Sequence, residues 1–354
     1  MLFTDLDLNG SIQQALKDQG YINPTPIQAT AIPLILQGKD IMGSAQTGTG
    51  KTAAFALPIL NMLAEPDFNS LNRGIRALIL APTRELVTQI ADNFNAYSKG
   101  TDIKSVVIFG GVPQRKQTDA LKKGVDVVIA TPGRLLDLIN QGYVKLNAIQ
   151  FFVLDEADRM LDMGFINDIR KIAGQIPAGR QTLFFSATMS PDVQKLSSSI
   201  LRNPVKVEVA PASSTGENIK QSVYYVEKNH KRSLLIHLLD ELEMDQVIVF
   251  TRTKHTADRV ALDLKRSGIG VDAIHGNKSQ SERQKALANF KRKHIRVLVA
   301  TDIAARGLDI SDLNFVINYE LPDDPESYVH RIGRTGRAGN SGIAMSFCGA
   351  EERS

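Results

Sequence analysis

Two stretches of the chain resemble each other residue for residue, although they lie in different halves of the sequence. One is "VVIATPGRLLDL", which begins at Val127, and the other is "VLVATDIAARGLDI", which begins at Val297. In both halves a similar apolar run starts fifty positions earlier, at Ala77 and at Val247. A solenoid would show more and shorter copies. We therefore infer two tandem copies of one long unit, and hence two domains.

Short apolar runs alternate with helix-like stretches in both copies, which is typical of parallel α/β proteins. The runs predicted to be strands cover 75–81, 105–110, 125–131, 151–156, 181–188, 246–253, 295–301, 314–320 and 342–348. A segment near 208–221 is rich in Ser, Pro and Gly and lacks apolar periodicity, which predicts a linker. We assign 1–209 to the first domain, 210–220 to the linker and 221–354 to the second domain. Two domains joined in this way create a cleft.

The composition is that of an ordinary globular protein, with 354 residues, 43% hydrophobic and 23% charged. The single cysteine, Cys348, excludes a disulfide framework and a cysteine-ligated metal site, and fits a reducing compartment. The N-terminus is acidic and no apolar run reaches the roughly 18 residues of a membrane span, so we expect a cytoplasmic protein. A net charge of +4 mildly favours a polyanionic partner.

The segment "SAQTGTGKT" (44–52) follows a short predicted strand and precedes a helix-like stretch. In this context a glycine-rich loop wraps phosphate oxygens with backbone N–H groups, while its lysine reaches the β and γ phosphates and a hydroxyl holds Mg²⁺. Lys51 and Thr52 take these positions, although Ala45 replaces the first glycine of the usual pattern. A glycine-rich turn that caps a helix beside an exposed lysine is the alternative.

Acidic residues follow a second predicted strand in "FFVLDEADRM" (151–160). The carboxyl ends of parallel strands are where doubly wound sheets bind ligands. We predict that Asp155 binds the Mg²⁺ of a nucleotide and that Glu156 orients or deprotonates the attacking water. Taken alone, the acidic cluster could be a solvated loop. Together with the glycine-rich segment 44–52, called the lysine loop below, it makes a two-part nucleotide site.

The octet "HRIGRTGR" (330–337) contains three arginines spaced three apart. Because the second copy has no lysine loop, these arginines cannot serve a nucleotide held within that copy. We predict that Arg334 and Arg337 are arginine fingers, supplied across the cleft to the γ-phosphate bound by Lys51. The alternative is a solvated basic turn that contacts nucleic acid or nothing.

Two further motifs point to a family. Residues Asp155-Glu156-Ala157-Asp158 spell the tetrad "DEAD" in one-letter code. Phe3 followed by "GYINPTPIQ" (20–28) resembles an adenine-recognising Q motif. Nearly the whole chain is similar to the DEAD-box ATP-dependent RNA helicases of superfamily two, most closely to the bacterial RhlE-type group. The resemblance implies an α/β fold of two RecA-like domains, each a mostly parallel sheet flanked by helices, with a nucleotide cleft between them. Only six residues follow the last predicted strand, so we expect the second domain to be truncated at its C-terminus.

The same resemblance implies ATP and Mg²⁺ as cofactors and assigns roles to named residues. The ATP-binding set is Phe3, Tyr21, Gln28, Gln46, Thr47, Gly48, Thr49, Gly50, Lys51, Thr52, Gly307 and Asp309. The set that couples hydrolysis to domain closure is Asp158, Ser186, Thr188 and His330. The RNA-binding set is Pro82, Thr83, Arg84, Gly110, Gly111, Thr131, Pro132, Arg134, Thr251, Arg252, Gly276, Arg283 and Thr301.

The chemistry of the Q motif favours ATP over GTP. The Gln28 amide can donate and accept together, matching the N6/N7 edge of adenine, and Tyr21 can stack on the ring. The alternative is a proline-started helix with an exposed Gln28. Both Ser186 and Thr188 could simply cap or terminate a strand, and both Arg252 and Arg283 could lie on solvated faces.

RNA recognition is expected to follow the sugar-phosphate backbone, because aromatic residues make up only 6% of the chain and Trp is absent. Such binding is sequence-independent and salt-sensitive, and contacts to the 2′-OH select RNA over DNA. The resemblance implies RNA-stimulated ATP hydrolysis that drives local, non-processive duplex unwinding or RNA–protein remodelling by a monomeric core. One alternative is an ATP-gated RNA clamp that does not unwind. The other is a DNA helicase or translocase, which the Gln28 segment and the tetrad disfavour.

Overall fold

The computed structural model describes residues 1–44, 48–65, 74–208, 218–305, 310, 313–336 and 341–352, apart from the side chains of Ile303 and Glu326. Several predicted site residues lie outside this described part, namely Gln46, Thr47, Gly307, Asp309 and Arg337, as does 210–217 of the predicted linker. Internal contacts divide the chain into two compact units, Met1–Ala210 and Pro211–Ser354. We refer to them as the first and the second domain.

The first domain is built on a parallel sheet with helices on both faces. Its strands are β1 (Ile41–Ser44), β2 (Ala77–Leu80), β3 (Ser105–Ile108), β4 (Val127–Ala130), β5 (Phe151–Leu154), β6 (Gln181–Ser186) and β7 (Val205–Glu208). Its helices are α1 (Gly10–Asp18), α2 (Pro26–Leu36), α3 (Lys51–Leu63), α4 (Arg84–Tyr97), α5 (Arg115–Lys122), α6 (Pro132–Asn140), α7 (Ala157–Asp162), α8 (Ile166–Ala173) and α9 (Pro191–Ile200). A short 3-10 helix, Phe3–Asp5, precedes α1.

The strand order in the first domain is β3-β4-β2-β5-β6-β1-β7, and each neighbouring pair is parallel. The central strands are buried along their whole length, since two separate apolar clusters cover the two faces of the sheet. This burial explains why the central strands read as continuous apolar runs in the sequence.

The second domain repeats this plan with one strand fewer among the described residues. Its strands are β8 (Ile219–Tyr225), β9 (Val247–Thr251), β10 (Val271–Ile274), β11 (Val297–Thr301), β12 (Phe315–Asn318) and β13 (Gly342–Cys348), in the parallel order β10-β11-β9-β12-β13-β8. Its helices are α10 (Lys231–Glu241), α11 (Lys254–Arg266), α12 (Gln280–Lys291), α13 (Asp302–Ala305) and α14 (Pro325–Ile332). A short 3-10 helix, Ala350–Glu352, follows β13.

The sequence repeat has a direct structural counterpart. Ala77 lies opposite Val127 in the first sheet, and Val247 lies opposite Val297 in the second. The spacing of fifty positions is therefore the register between two neighbouring parallel strands in each domain. All nine predicted strands are present, and the prediction of two parallel-sheet α/β domains is confirmed.

The sequence patterns do not predict three of the strands: β7, β8 and β10. All three lie at sheet edges; β7 and β8 contain several exposed positions, and β10 is only partly buried. They therefore lack the continuous apolar run of a central strand. Since β8 begins at Ile219, the last two positions of the predicted linker, 219 and 220, belong to a strand instead. Among the residues described, no helix combines the length and apolar character that spanning a bilayer requires.

Candidate functional site

The described part of the lysine loop, residues 48–52, lies at the carboxyl edge of the first sheet. Gly48 and Gly50 lie just before α3 and have φ angles of 86° and 90°. These left-handed conformations favour glycine. A Cβ atom on Gly50 would also collide with the side-chain amide of Gln28. The turn delivers Lys51 as the first residue of α3, with Thr52 next on the same helix.

The Lys51 ammonium is buried, and no described residue accepts a hydrogen bond from it. Only 5% of the residue is exposed, and Nζ lies 3.9 Å from Oδ1 of Asp155, which directly follows β5. Burial raises the pKa of Asp155 to about 6, and the nearby Lys51 ammonium opposes this rise. A buried cation without a hydrogen bond is costly unless a ligand supplies an acceptor. The site therefore suits an anion beside Lys51 and a hard cation beside Asp155.

Glu156 adopts an unusual backbone conformation directly after Asp155. Its φ angle is 53°, in the left-handed region that non-glycine residues rarely occupy. The Glu156 carboxylate Oε2 lies 3.0 Å from Nη1 of Arg159, and both side chains are about nine-tenths buried. Such strain persists where the surroundings hold it in place, and it is common at functional sites. The ion pair with Arg159 fixes the direction of the Glu156 carboxylate, and no motif in the sequence indicates this pair.

Asp158 connects the acidic tetrad to the segment after β6. Its Oδ2 accepts hydrogen bonds from the backbone N–H of Ala187 (3.1 Å), the N–H of Thr188 (2.9 Å) and the Thr188 hydroxyl (3.1 Å). Ser186 Oγ in turn donates to the Thr188 carbonyl at 2.7 Å. The structure thus brings together three of the four residues predicted to couple hydrolysis to closure, all within one domain.

The residues of the predicted adenine site meet on the same domain. The rings of Phe3 and Tyr21 stack with centroids 6.1 Å apart, and Tyr21 also contacts the buried Tyr97 on α4. Gln28 is 5% exposed rather than solvated, so the alternative of an exposed side chain is wrong. Its Oε1 accepts from the Thr25 N–H at 2.9 Å and its Nε2 donates to the Gly50 carbonyl at 3.1 Å. Gln28 therefore joins the Q motif to the lysine loop directly.

Predicted RNA contacts of the first domain follow three adjacent strands. Pro82, Thr83 and Arg84 follow β2, Gly110 and Gly111 follow β3, and Thr131, Pro132 and Arg134 follow β4. The guanidinium group of Arg84 lies against Gly111, whose φ angle is 74° and whose added Cβ would collide with it. Arg134 Nη1 donates to the carbonyl of Val112 at 3.4 Å. These loops form one surface at the carboxyl edge of the sheet.

Predicted RNA contacts of the second domain lie at the corresponding edge of its own sheet. Thr251 ends β9, Thr301 ends β11, Gly276 follows β10 and Arg283 lies in the first turn of α12. Arg252 is exposed, but its guanidinium is paired, since Nη1 lies 3.1 Å from Asp323 Oδ1. Its backbone N–H donates to a Glu320 oxygen at 2.8 Å.

Comparison with known proteins identifies the family. The family model described as DEAD/DEAH box helicase matches residues 25–196, and the one described as helicase conserved C-terminal domain matches 230–339. The chain belongs to the DEAD/DEAH box helicase family. It is an ATP-dependent RNA helicase, as the motifs predict.

Similar proteins support this assignment over nearly the full chain. ATP-dependent RNA helicase RhlB of Shewanella oneidensis is 47% identical over 98% of this chain and 80% of its own length. Dbp5 of Saccharomyces cerevisiae, solved bound to RNA and ADP BeF3, is 31% identical over 99% of this chain and 90% of its own, with a TM-score of 0.86. A DEAD box protein of Methanococcus jannaschii is 41% identical over 99% of this chain and 94% of its own, with a TM-score of 0.57.

One arginine of the octet in this helicase has a role that the sequence did not indicate. Arg331 is only 1% exposed, and it forms a two-pronged ion pair with Asp302, Nε to Oδ1 at 2.6 Å and Nη2 to Oδ2 at 2.7 Å. Its Nη1 donates to Asn318 Oδ1 at 3.2 Å and to the Glu320 carbonyl at 2.6 Å. Arg331 therefore ties α14 to β12 and α13. Of the other octet residues, His330 is in the last turn of α14, and Arg334 follows that helix with 7% of its surface exposed.

Proposed function

We propose that this helicase binds Mg²⁺-ATP at the carboxyl edge of its first domain. The observation that carries the proposal is the buried Lys51 ammonium, which has no hydrogen-bonding partner among the residues that the structure describes and lies 3.9 Å from Asp155. Lys51 would bind the β and γ phosphates, while Thr52 and Asp155 would hold Mg²⁺. Mg²⁺, when bound, would neutralise part of the negative charge on the phosphates. Glu156, whose carboxylate is held in direction by Arg159, would orient or deprotonate the attacking water.

Adenine recognition is proposed for the Q-motif residues. Tyr21 stacks on Phe3 and is 41% exposed, so part of its surface is accessible for contact with a base. Gln28 contacts Gly50 in the lysine loop, so a base read by this amide would affect the phosphate-binding loop through a single hydrogen bond. The roles of Gln46, Thr47, Gly48 and Thr49 as phosphate contacts, and of Gly307 and Asp309 as contacts to the rest of the nucleotide, rest on the sequence motifs.

Catalysis and coupling are proposed for residues of both domains. Arg334 and Arg337 would stabilise the transferring phosphoryl group, an effect worth about 10³–10⁵ in rate where an arginine finger is used. His330 would take part in coupling together with the hydrogen-bonded set around Asp158. These roles of the octet rest on the sequence pattern and on family membership.

RNA is proposed to bind along the carboxyl edges of both sheets, through the loops that carry the predicted contacts. Support comes from the cluster of Arg84, Gly111 and Arg134 in the first domain and from relatives solved with RNA. Backbone N–H groups, threonine hydroxyls and arginines would read phosphates rather than bases, so binding should be sequence-independent. Hydrolysis would then drive local strand separation or remodelling of an RNA–protein complex.

Within the family, the motifs predict the RhlE-type group, whereas the relative from Shewanella oneidensis reported above and one from a second Shewanella strain are both named RhlB. The narrower group therefore stays a proposal, and RhlB-type is the assignment that these relatives favour. A monomeric core and a cytoplasmic location stay predictions from the sequence.

Strand release distinguishes a helicase from an RNA clamp. A short RNA duplex labelled on one strand is mixed with the chain and ATP, with the chain and a non-hydrolysable analogue, and with Lys51→Ala and ATP. Strand release by the unaltered chain with ATP, and in neither of the other two mixtures, supports the proposal. RNA-stimulated hydrolysis without release would favour the clamp, and release by Lys51→Ala would exclude Lys51 as the phosphate ligand.

A further inference from the structure

The two sheets correspond strand by strand, so positions in one domain can be compared with positions in the other. In this correspondence β8 takes the place of β1, because β8 neighbours β13 as β1 neighbours β6. The helix after β1 begins with Lys51, and the helix after β8 begins with Lys231. Both lysines are buried, with 5% and 2% of their surfaces exposed. The second domain thus keeps a buried lysine where the first holds its phosphate-binding lysine, although no glycine-rich motif precedes it.

The surroundings of the two ammonium groups differ in two respects. Within the described part of the chain, Nζ of Lys51 has no hydrogen-bonding partner. Nζ of Lys231 donates to the Glu352 carboxylate at 2.5 Å and to the carbonyls of Tyr319 and Phe347 at 3.0 and 3.2 Å. Tyr319 directly follows β12, the counterpart of β5, and therefore takes the position of Asp155. The second domain lacks a carboxylate at the proposed metal position, and its lysine is already satisfied.

The Glu352 carboxylate is surrounded by the kind of hydrogen-bond donors that bind anions in proteins. It accepts hydrogen bonds from Lys231 Nζ and from the backbone N–H groups of Gly349 (2.8 Å) and Leu321 (3.0 Å), and its side chain is 4% exposed. A lysine combined with converging backbone N–H groups is the donor set that phosphate takes in a glycine-rich loop. A cavity of about 650 Å³ adjoins this carboxylate, and Arg252 and Arg259 are among the residues that line it.

We propose that the Glu352 carboxylate occupies the position in the second domain that phosphate occupies in the first, so that the chain fills this site with its own side chain. The inference rests on the proposed phosphate site at Lys51. It explains why the second domain keeps a buried lysine without a phosphate loop. Among the described residues, it leaves the helicase with one lysine-based site for nucleotide phosphates, at Lys51. Removing the carboxylate while keeping Lys231 opens a second site for a pyrophosphate-type anion.

The test counts pyrophosphate sites on the full chain by equilibrium dialysis with inorganic pyrophosphate. The unaltered chain should bind one equivalent, which Lys51→Ala removes. Glu352→Ala should bind two, and the second should disappear in Glu352→Ala combined with Lys231→Met. Glu351→Ala is the matched control, because Glu351 borders the same cavity but is exposed, and it should stay at one.

Two outcomes overturn the inference: one equivalent in Glu352→Ala, or a second site in the unaltered chain that Lys231→Met removes. Absence of any Lys51-dependent site would instead refute the proposed function, so the two failures are distinguishable. If Glu352→Ala does not fold, the urea midpoints of Lys231→Met, Glu352→Gln and their double variant decide. A double variant that recovers above both single variants supports the internal pairing of lysine and carboxylate, and additive losses contradict it.

Discussion

Replacing Arg331 with methionine should destabilise the second domain by about 3 kcal/mol, and replacing it with lysine by about 2 kcal/mol. The guanidinium makes four hydrogen bonds of 2.6–3.2 Å, to Asp302, Asn318 and Glu320, and lies 5.2 Å from the ring of Phe250. Breaking a buried ion pair by removing one partner costs about 3–5 kcal/mol. The lower end applies because the Asp302 side chain is 24% exposed and can be partly hydrated. Lysine keeps the charge but lacks the planar fork that bonds both carboxylate oxygens.

Urea unfolding followed by far-UV circular dichroism measures this loss, since the chain contains no Trp to report by fluorescence. Hydrogen exchange of β12 backbone amides assigns the effect to the second domain. Arg266→Lys is the matched control, because Arg266 is exposed at the end of α11 and should change stability by less than about 0.5 kcal/mol. A loss below about 0.5 kcal/mol in Arg331→Lys would refute the structural role of this arginine.

Three further predictions concern other parts of the chain. Asp158→Ala removes the shared acceptor of three hydrogen bonds of 2.9–3.1 Å and should cost about 2–4 kcal/mol in urea unfolding; an unchanged midpoint would contradict this. Gly111→Ala should weaken RNA binding by about 1–2 kcal/mol in a titration, because the new methyl group displaces Arg84. Gly142→Ala is the matched control, because Gly142 has a φ of 77° and open space around it, and this variant should not weaken RNA binding. Equal losses of RNA binding in the two variants would exclude the contact with Arg84 as the cause. Burial alone would raise the pKa of Glu352, but the hydrogen bonds to its carboxylate outweigh burial and lower the pKa. The ionised Glu352 therefore stabilises the folded state above pH 4.5, and this stabilisation is lost as the pH falls. Glu352→Gln should flatten the acid dependence of the urea midpoint, and an unaltered profile would contradict the assignment.

Much of the fold could be predicted because central strands of parallel sheets are buried on both faces. The runs that start at Ala77, Val127, Val247 and Val297 show this as unbroken apolar sequence, and their spacing gives the register itself. Edge strands such as β8 mix Lys, Gln and Ser with apolar residues, so local sequence does not separate them from loops.

The site was predictable where function depends on a short motif, and not where it depends on partners far apart in the sequence. The sequence shows the tetrad and the segment Ser186-Ala187-Thr188 as separate motifs, but the hydrogen bonds that join Asp158 to Thr188 span 30 positions. Arg331 looked like its neighbours in the octet, yet its carboxylate partner lies 29 positions away. The pairing of Lys231 with Glu352 spans 121 positions and follows no motif, so only the folded chain shows it.

The central claim is that this chain is a helicase whose ATP hydrolysis responds to RNA. Steady-state hydrolysis should therefore be measured without nucleic acid, with single-stranded RNA and with DNA of the same sequence, for the unaltered chain and for Arg334→Ala. The account predicts stimulation by RNA alone, and loss of turnover with retained ATP binding in Arg334→Ala. Hydrolysis that ignores RNA, or that responds equally to DNA, would contradict it.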